Sequence, residues 1–192
     1  VADGKIAAGT GTPDRTVDAK GLVVAPGFID LAARLREPGY EYKATLESEM
    51  DAAVAGGVTS LACPPDTDPP LDEPGLVDML RRRAKSLSRA RVYPVGALTV
   101  KLAGKQLTEM AELAEAGAVA FTDDGRPVVS SGLMRRALQY SAVTDRRIAL
   151  HCEEPTLSRG GHVHEGLVSA ELGFGGYPSV AESVMVDRDL AL

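Results

Sequence analysis

The chain has 192 residues, 44% of them hydrophobic and 25% charged, and a net charge of -6 at pH 7. Its length and composition fit one globular domain, and its negative charge argues against electrostatic binding to nucleic acid or to an anionic membrane surface. Aromatic residues make up 4% and there is no Trp, so no stacking surface for single-stranded nucleic acid is expected.

Residues 1 to 24 differ in pattern from the rest of the chain. They mix short β-like pieces, at residues 5–8, 15–19 and 22–26, with Gly and Pro turns. We interpret this part as a small β-rich segment that leads into a main domain over residues 25–192.

From Pro26 onward, segments of strand type alternate with amphipathic segments of helix type. The predicted strands span residues 27–31, 58–63, 91–98, 118–122 and 147–152. The predicted helices span residues 46–57, 74–87, 107–117, 131–143 and 180–192, and Thr108 is the expected N-cap of the third.

This alternation predicts βαβ units around a parallel sheet, in an α/β fold. A closed (β/α)8 barrel and an open doubly wound sheet both fit, but neither Gly-rich nucleotide-binding motif is present. Polar residues follow each strand, as they do at the active-site end of a barrel, so a barrel is preferred. They are Arg34, Arg36, Asp66, Thr99, Lys101, Asp123, Asp124, His151 and Glu153.

Only about five barrel strands can be counted, whereas a full barrel needs eight and typically about 250 residues. The outer strands would then expose apolar backbone edges. The chain also begins with Val1 rather than Met. We therefore expect a truncated chain, or a second chain that completes the sheet.

Asp124 and His151 end neighbouring predicted strands, one βα unit apart. A carboxylate and an imidazole at adjacent positions of one rim could hold Zn²⁺ or act as an acid–base pair. Alternatively, Asp124 caps a loop and His151 is a buried, hydrogen-bonded histidine.

Two further segments carry candidate groups. His162 and His164 alternate in a Gly-rich stretch and could chelate a metal, although a solvent-exposed loop is the simpler interpretation. The proline-rich loop over residues 61–75 carries Asp66 and Asp68, which could face a ligand or cap turns.

Cysteine usage and hydropathy indicate the compartment. Cys63 and Cys152 lie far apart and in no paired motif, so no disulfide and a reducing environment are expected. No signal peptide is visible and no apolar run reaches the length of a membrane span. A cytoplasmic protein is the expectation.

Taken together, several stretches resemble the class I dihydroorotases of the amidohydrolase superfamily. They are "PGFID", "LREPG", "AAVAGGVTSL", "PPDTDPP", "AGAVAFTDDG", "HCEE" and "HEGLVSAELG". The resemblance implies a (β/α)8 TIM-type barrel, with residues 1–24 forming part of a small flanking β-domain. It also implies hydrolysis or closure of the dihydroorotate ring in pyrimidine biosynthesis, with one or two Zn²⁺ ions activating water.

Carried over residue by residue, the resemblance is incomplete. The two first-strand metal ligands of the family, a His-x-His pair, fall on Ala32 and Arg34, which cannot bind a metal. The arginine for the substrate carboxylate matches Arg36, and its partner asparagine falls on Asp66. A bridging metal ligand matches Asp124 and a metal histidine matches His151. The last metal histidine and the catalytic aspartate would lie beyond Leu192.

This pattern resembles the non-catalytic dihydroorotase-like homologues that associate with aspartate transcarbamoylase. It implies a scaffold for that enzyme's catalytic subunit, and homo-oligomers are a further alternative. It also implies at most one Zn²⁺, at a residual Asp124–His151 site. The alternative is an active dihydroorotase with a reduced single-metal site. A cyclic amidohydrolase acting on hydantoin or allantoin is the third option, and Arg36 argues mildly against it.

Overall fold

A computed structural model describes residues 12–192 of the chain. The predicted β-like piece at residues 5–8 lies outside this range. The strands are β1 (Phe28–Asp30), β2 (Val58–Cys63), β3 (Arg91–Pro94), β4 (Gly96–Ala97), β5 (Ala120–Thr122), β6 (Arg147–Ile148), β7 (Val163–His164) and β8 (Gly176–Tyr177). The helices are α1 (Leu46–Ala55), α2 (Pro74–Leu87), α3 (Met110–Ala116), α4 (Ser131–Thr144), α5 (Pro155–Ser158), α6 (Leu167–Leu172) and α7 (Val180–Ala191).

The strands of the main domain run parallel in chain order, as predicted. One sheet has the order β1-β2-β3 and a second has the order β4-β5-β6. The single predicted strand over residues 91–98 is divided at Val95, whose amide donates to the carbonyl of Cys63 in β2. Its first half pairs with β2 and its second half pairs with β5. The polypeptide therefore passes from one sheet to the other within one segment.

The helices begin and end where side chains satisfy their free backbone groups. Thr45 and Ser48 form a capping box at the start of α1, and Ser130 caps α4 through the amide of Leu133. Pro74 occupies the first turn of α2, where a missing N–H costs nothing. Thr108 is not a helix cap, contrary to the prediction. Its hydroxyl donates to the carbonyl of Ala97, and α3 starts two residues later.

The core lies between the parallel strands and the helices that cover them. Leu61 of β2 and Phe121 of β5 are almost fully buried and contribute the sheet side. The helices contribute Met50, Leu80 and Met134 from α1, α2 and α4. Burial of each such side chain stabilises the fold by roughly 1.5–3 kcal/mol. Packing against this core fixes the strands, and hence the loops that follow their carboxyl ends.

The two predicted β-like pieces at residues 15–19 and 22–26 are not strands in this structure. Val17, Val23 and Val24 in this stretch are exposed, and the stretch pairs with no other part of the described chain. A β-strand needs a hydrogen-bonding neighbour, which sequence propensity alone does not supply.

The segment between β6 and α7 contains structure that the sequence did not predict. It forms α5, α6 and the two-residue strands β7 and β8, which pair in parallel. Such short elements carry too few residues to show a hydrophobic period. None of the helices in the described range is long and apolar enough to cross a membrane.

Candidate functional site

The structure brings three of the polar residues predicted at one rim of the sheet into direct contact. Because β1, β2, β4, β5 and β6 are parallel, the loops after their carboxyl ends lie at the same edge. The loops after β1, β2 and β5 carry Arg34, Asp66 and Asp124, and the side chain of Arg34 contacts both aspartates.

Arg34 connects these loops through its guanidinium group. Its Nε donates to Oδ2 of Asp66 at 2.8 Å, and its Nη2 donates to both carboxylate oxygens of Asp124 at 2.7 and 2.8 Å. The three side chains are each between one fifth and two fifths exposed. The hydrogen bond to Asp124, followed by that to Asp66, raises the pKa of Arg34 above its ordinary value. The cation at this position is therefore permanent.

The two adjacent aspartates after β5 face in different directions. Asp123 is buried and accepts from the amide of Thr99 at 2.8 Å and from its hydroxyl at 2.5 Å. Burial raises the pKa of Asp123, and the bonds from Thr99 oppose that shift. Asp124 has φ of 55°, which turns its carboxylate toward Arg34. Asp123 thus ties two strand ends together and leaves Asp124 as the rim carboxylate, a division that the pattern "TDDG" does not reveal.

His151 follows β6, the strand next to β5, but has a different partner from Asp124. Phe121 and Ile148 are paired in register, and Asp124 and His151 each follow three residues later. The Nε2 atom of His151 lies 2.8 Å from Oε2 of Glu153. Glu153 also accepts from the hydroxyl of Ser158, and these two bonds lower its pKa, with the bond from Ser158 the larger cause. His151 is partly exposed rather than buried, so the predicted buried histidine is not what the structure has.

The residues at this rim do not fit a zinc site. Zinc sites use three or four Cys, His, Asp or Glu ligands. The described part of the chain contains no group of three or more such residues that could hold a metal ion. Ala32 offers a methyl group, and both oxygens of Asp124 are engaged by a cation. Zinc at an Asp124–His151 half-site therefore stays a prediction, with no geometry here that supports it.

The alternating histidines belong to the segment that pairs with β8. His164 belongs to β7, which pairs with β8, and His162 directly precedes it, with its amide donating to the carbonyl of Gly175. Only His164 is therefore on a strand, in a stretch for which a solvent-exposed loop was the simpler prediction. Within the described range neither belongs to a candidate metal cluster.

Arg36 and Asp66 line a cavity of about 810 Å³ at the rim. Arg36 has φ of 65°, and its side chain makes no hydrogen bond or ion pair with any described residue. The position that the resemblance assigns to a substrate carboxylate is therefore open to the cavity. Asp66, which stands where an amide was expected, forms an ion pair with Arg34.

Glu37 is an organising residue that the sequence pattern does not reveal. It is buried, and its carboxylate accepts from the amide of Leu46 at 2.8 Å and pairs with Arg83. It thus joins the loop after β1 to the start of α1 and to α2. No simple sequence signal separates it from the charged neighbours Arg34 and Arg36.

Comparison with known sequences agrees with the motifs. The family model described as "Dihydro-orotase-like" matches residues 21–192. A dihydroorotase of Syntrophus aciditrophicus is 50% identical over 178 residues, covering 93% of this chain and 42% of the relative. A dihydroorotase of Pelotomaculum thermopropionicum is 47% identical over 197 residues, covering 100% and 46%. A "Dihydroorotase-like protein" of Pseudomonas aeruginosa is 45% identical over 178 residues, covering 93% and 42%.

Two solved structures resemble the fold. The L-hydantoinase of Arthrobacter aurescens has a TM-score of 0.78 at 24% identity, covering 100% of this chain and 45% of that one. The dihydroorotase of Saccharomyces cerevisiae in complex with 5-fluoroorotic acid has a TM-score of 0.53 at 16% identity, covering 79% and 43%. These likenesses confirm the predicted (β/α) barrel fold. The chain spans less than half the length of these proteins and of the curated relatives above.

Proposed function

Because the chain belongs to the dihydroorotase-like family of the amidohydrolase superfamily, we propose that it is a non-catalytic member in pyrimidine biosynthesis. Its role in this proposal is structural, as a partner of the catalytic subunit of aspartate transcarbamoylase. The observation that carries the proposal is the ion pair of Arg34 with Asp66 and Asp124.

The ion pair is informative because it links two residues that both depart from the family pattern. Arg34 stands where a metal-binding histidine is expected, and Asp66 stands where an amide is expected. The structure pairs these two side chains at 2.8 Å. A guanidinium hydrogen-bonded to carboxylates on two sides is a stable arrangement, and Asp66 without Arg34 would add a second unpaired carboxylate beside Asp124.

The same arrangement removes the means of activating water. The family chemistry generates hydroxide on a bound metal ion. Here the first ligand position is Ala32, the second is a permanent cation, and Asp124 is held by that cation through both oxygens. A divalent ion would have to displace Arg34 from Asp124, and electrostatic repulsion from the guanidinium opposes its approach.

A structural role depends on the fold and not on the metal site, so these substitutions leave it intact. The resemblance to non-catalytic homologues points to aspartate transcarbamoylase as the partner. A relative from Pseudomonas aeruginosa, 45% identical, carries the name dihydroorotase-like protein rather than dihydroorotase. The proposal extends that distinction to this chain.

The second candidate is an active dihydroorotase with a reduced single-metal site. It is favoured by the relatives named dihydroorotase at 47–50% identity. In this version Arg34 releases Asp124, which joins His151 and a later residue at one metal ion. Arg34 then acts as an electrophile beside the ring carbonyl.

Co-purification tests the structural role directly. The full-length protein is co-expressed with the aspartate transcarbamoylase catalytic chain of the same organism, and each chain is also expressed alone. We expect both chains to elute together in size-exclusion chromatography, and the transcarbamoylase to assemble abnormally without its partner. Separate elution, with normal transcarbamoylase assembly in the absence of this protein, would overturn the proposal.

A further inference from the structure

The segment over residues 81–91 is strongly basic in a chain whose net charge is negative. It contains six Lys and Arg residues and no acidic residue, whereas the whole chain has 21 basic and 27 acidic residues. The segment covers the second half of α2, the turn after it and the first residue of β3. It therefore lies at the amino-terminal end of β3, and the rim residues described above follow the opposite, carboxyl ends of the strands.

Most of these cations line one groove of about 590 Å³, formed by α2, the turn after it and β3. The basic residues of its wall are Arg81, Arg82, Lys85, Arg89 and Arg91. Among the described residues that line it, Asp78 is the only acid. The groove shares no residue with the rim cavity, and its volume is in the range of small-ligand sites, about 300–1,000 Å³.

Two of the cations in this groove are balanced by carboxylates. Nε of Arg82 lies 2.6 Å from Oδ2 of Asp78, which is one helical turn earlier in α2. Nε of Arg89 lies 2.9 Å from Oδ1 of Asp51 in α1. The acid of the groove wall is therefore already neutralised by a neighbour and does not repel an anionic ligand.

The other three cations have no acidic partner in the part of the chain that the structure describes. Arg81, Lys85 and Arg91 take part in none of the ion pairs found there. Two helix ends lie beside them, since Lys85 is in the last turn of α2 and Arg81 donates to the carbonyl of Ala116, the last residue of α3. Each helix end carries roughly half a negative charge, so the two ends offset about one cation and leave about two uncompensated.

Arg81 is held in position before any ligand binds. Its Nη1 donates to the carbonyl oxygen of Ala116 at 2.5 Å. Its guanidinium lies against Gly117, which has φ of 110° and where a Cβ atom would overlap the guanidinium. A guanidinium has five N–H donors, and the bond to Ala116 uses only one of them. Because this side chain is already ordered, binding a ligand costs it less conformational entropy.

We propose that this groove binds a polyphosphate chain, either free or as part of a nucleotide. Unpaired cations at three points of one groove suit a ligand that carries several charges along its length, and a guanidinium binds phosphate oxygens through two N–H groups at once. Tyr93, which is 40% exposed in the groove wall, offers an aromatic ring on which a base can stack. This binding function goes beyond the structural role proposed above and depends neither on turnover nor on a partner subunit.

Isothermal titration of the purified full-length protein, at low ionic strength and without divalent cations, tests the proposal. Inorganic tripolyphosphate and ATP are the probes, and adenosine is the uncharged control. We expect saturable binding of the anions, no binding of adenosine, and weaker binding as salt rises. ATP binding at least about tenfold tighter than tripolyphosphate would identify a nucleotide as the ligand. Equal affinities would identify the phosphate chain alone, and absence of saturable binding with both probes would overturn the proposal.

A hexaglutamate peptide separates phosphate recognition from a general attraction of acids. Its carboxylates carry more charge than tripolyphosphate but lack the phosphate oxygens that a guanidinium and an ammonium group share. We expect it to bind at least about tenfold more weakly than tripolyphosphate. Equal or tighter binding of the peptide would refute the phosphate assignment and indicate a docking surface for an acidic protein segment instead.

Matched substitutions locate the binding. Lys85→Gln combined with Arg91→Gln removes two cations from the groove and should weaken tripolyphosphate binding at least about tenfold. Lys101→Gln combined with Lys105→Gln removes the same charge outside the groove wall and should change it less than about twofold.

Both groove side chains are exposed, so the variant is expected to fold. Should it unfold, Lys85→Gln alone, matched with Lys105→Gln, makes the same comparison. Equal losses in the groove variant and its match would refute the assignment. Turnover and transcarbamoylase binding are measured separately, so their outcomes do not affect this one.

Discussion

Arg34 and Asp124 are separated by 90 residues in the sequence, yet two hydrogen bonds of 2.7 and 2.8 Å join their side chains. The pair connects the end of the first barrel strand to the end of β5. The same guanidinium also holds Asp66 after β2. One side chain therefore connects three strand ends, and the proposed loss of catalysis rests on it.

The first prediction concerns the stability of this ion pair. Arg34→Gln leaves Asp66 and Asp124 without their shared cation, and should lower the free energy of unfolding by about 1 kcal/mol. The value is modest because all three side chains are partly exposed. Urea denaturation measures it. Asp124→Asn in the Arg34→Gln background should restore part of the loss, and strictly additive effects would contradict the coupling.

The second prediction concerns zinc. Restoring both first-strand positions, with the double substitution Ala32→His and Arg34→His, supplies two imidazoles beside Asp124 and removes the cation. The variant should retain at least about tenfold more zinc than the wild type after dialysis, because three or more ligands then converge. Elemental analysis measures the content. Arg34→Gln alone is the control, and zinc retention equal to that of the double variant would contradict the prediction.

The third prediction concerns Glu37. Glu37→Ala removes the acceptor for the amide of Leu46 and the partner of Arg83, and should cost about 2–3 kcal/mol of unfolding free energy. Glu47→Ala is the matched control. Its contact with Arg89 is 3.8 Å long and exposed, so it should cost less than about 0.5 kcal/mol. Similar losses in the two variants would show that Glu37 is not an anchor.

The fourth prediction concerns the two cysteines. Burial raises the pKa of the Cys63 thiol to about 11, so at pH 8 almost none of it is the reactive thiolate. Cys152 is less buried, although burial also raises its pKa. A disulfide reagent should modify Cys152 first, and Cys63 only after the protein unfolds. Cys152→Ser should abolish the early phase, and rapid labelling of Cys63 in that variant would be inconsistent with the described core.

The sequence predicted those parts of the fold that depend on local signals. The predicted range of β2 and that of α2 coincide with the observed ones, because a buried apolar run and a Pro-started amphipathic segment mark them clearly. The predicted strands at residues 15–19 and 22–26 failed because a strand depends on a neighbour. The division at Val95 depends on which strands lie on either side, and no local pattern encodes that.

The candidate site, too, could be predicted from the sequence only in part. The sequence marks Ala32, Arg34 and Asp66 as departures from a family pattern, each by itself. That Arg34 and Asp66 form one ion pair with Asp124 is a consequence of parallel strands ending at one edge. The orientation of Asp124 rather than Asp123 toward that pair follows from the backbone turn and from Thr99, which a single sequence does not specify.

Dihydroorotate turnover by the purified full-length protein, without a partner and with added Zn²⁺, decides whether this protein is catalytic. We expect no turnover above that of a parallel purification from cells carrying an empty vector. Clear turnover that is lost in Asp124→Ala would contradict it, since Asp124 would then serve catalysis rather than only its ion pair with Arg34.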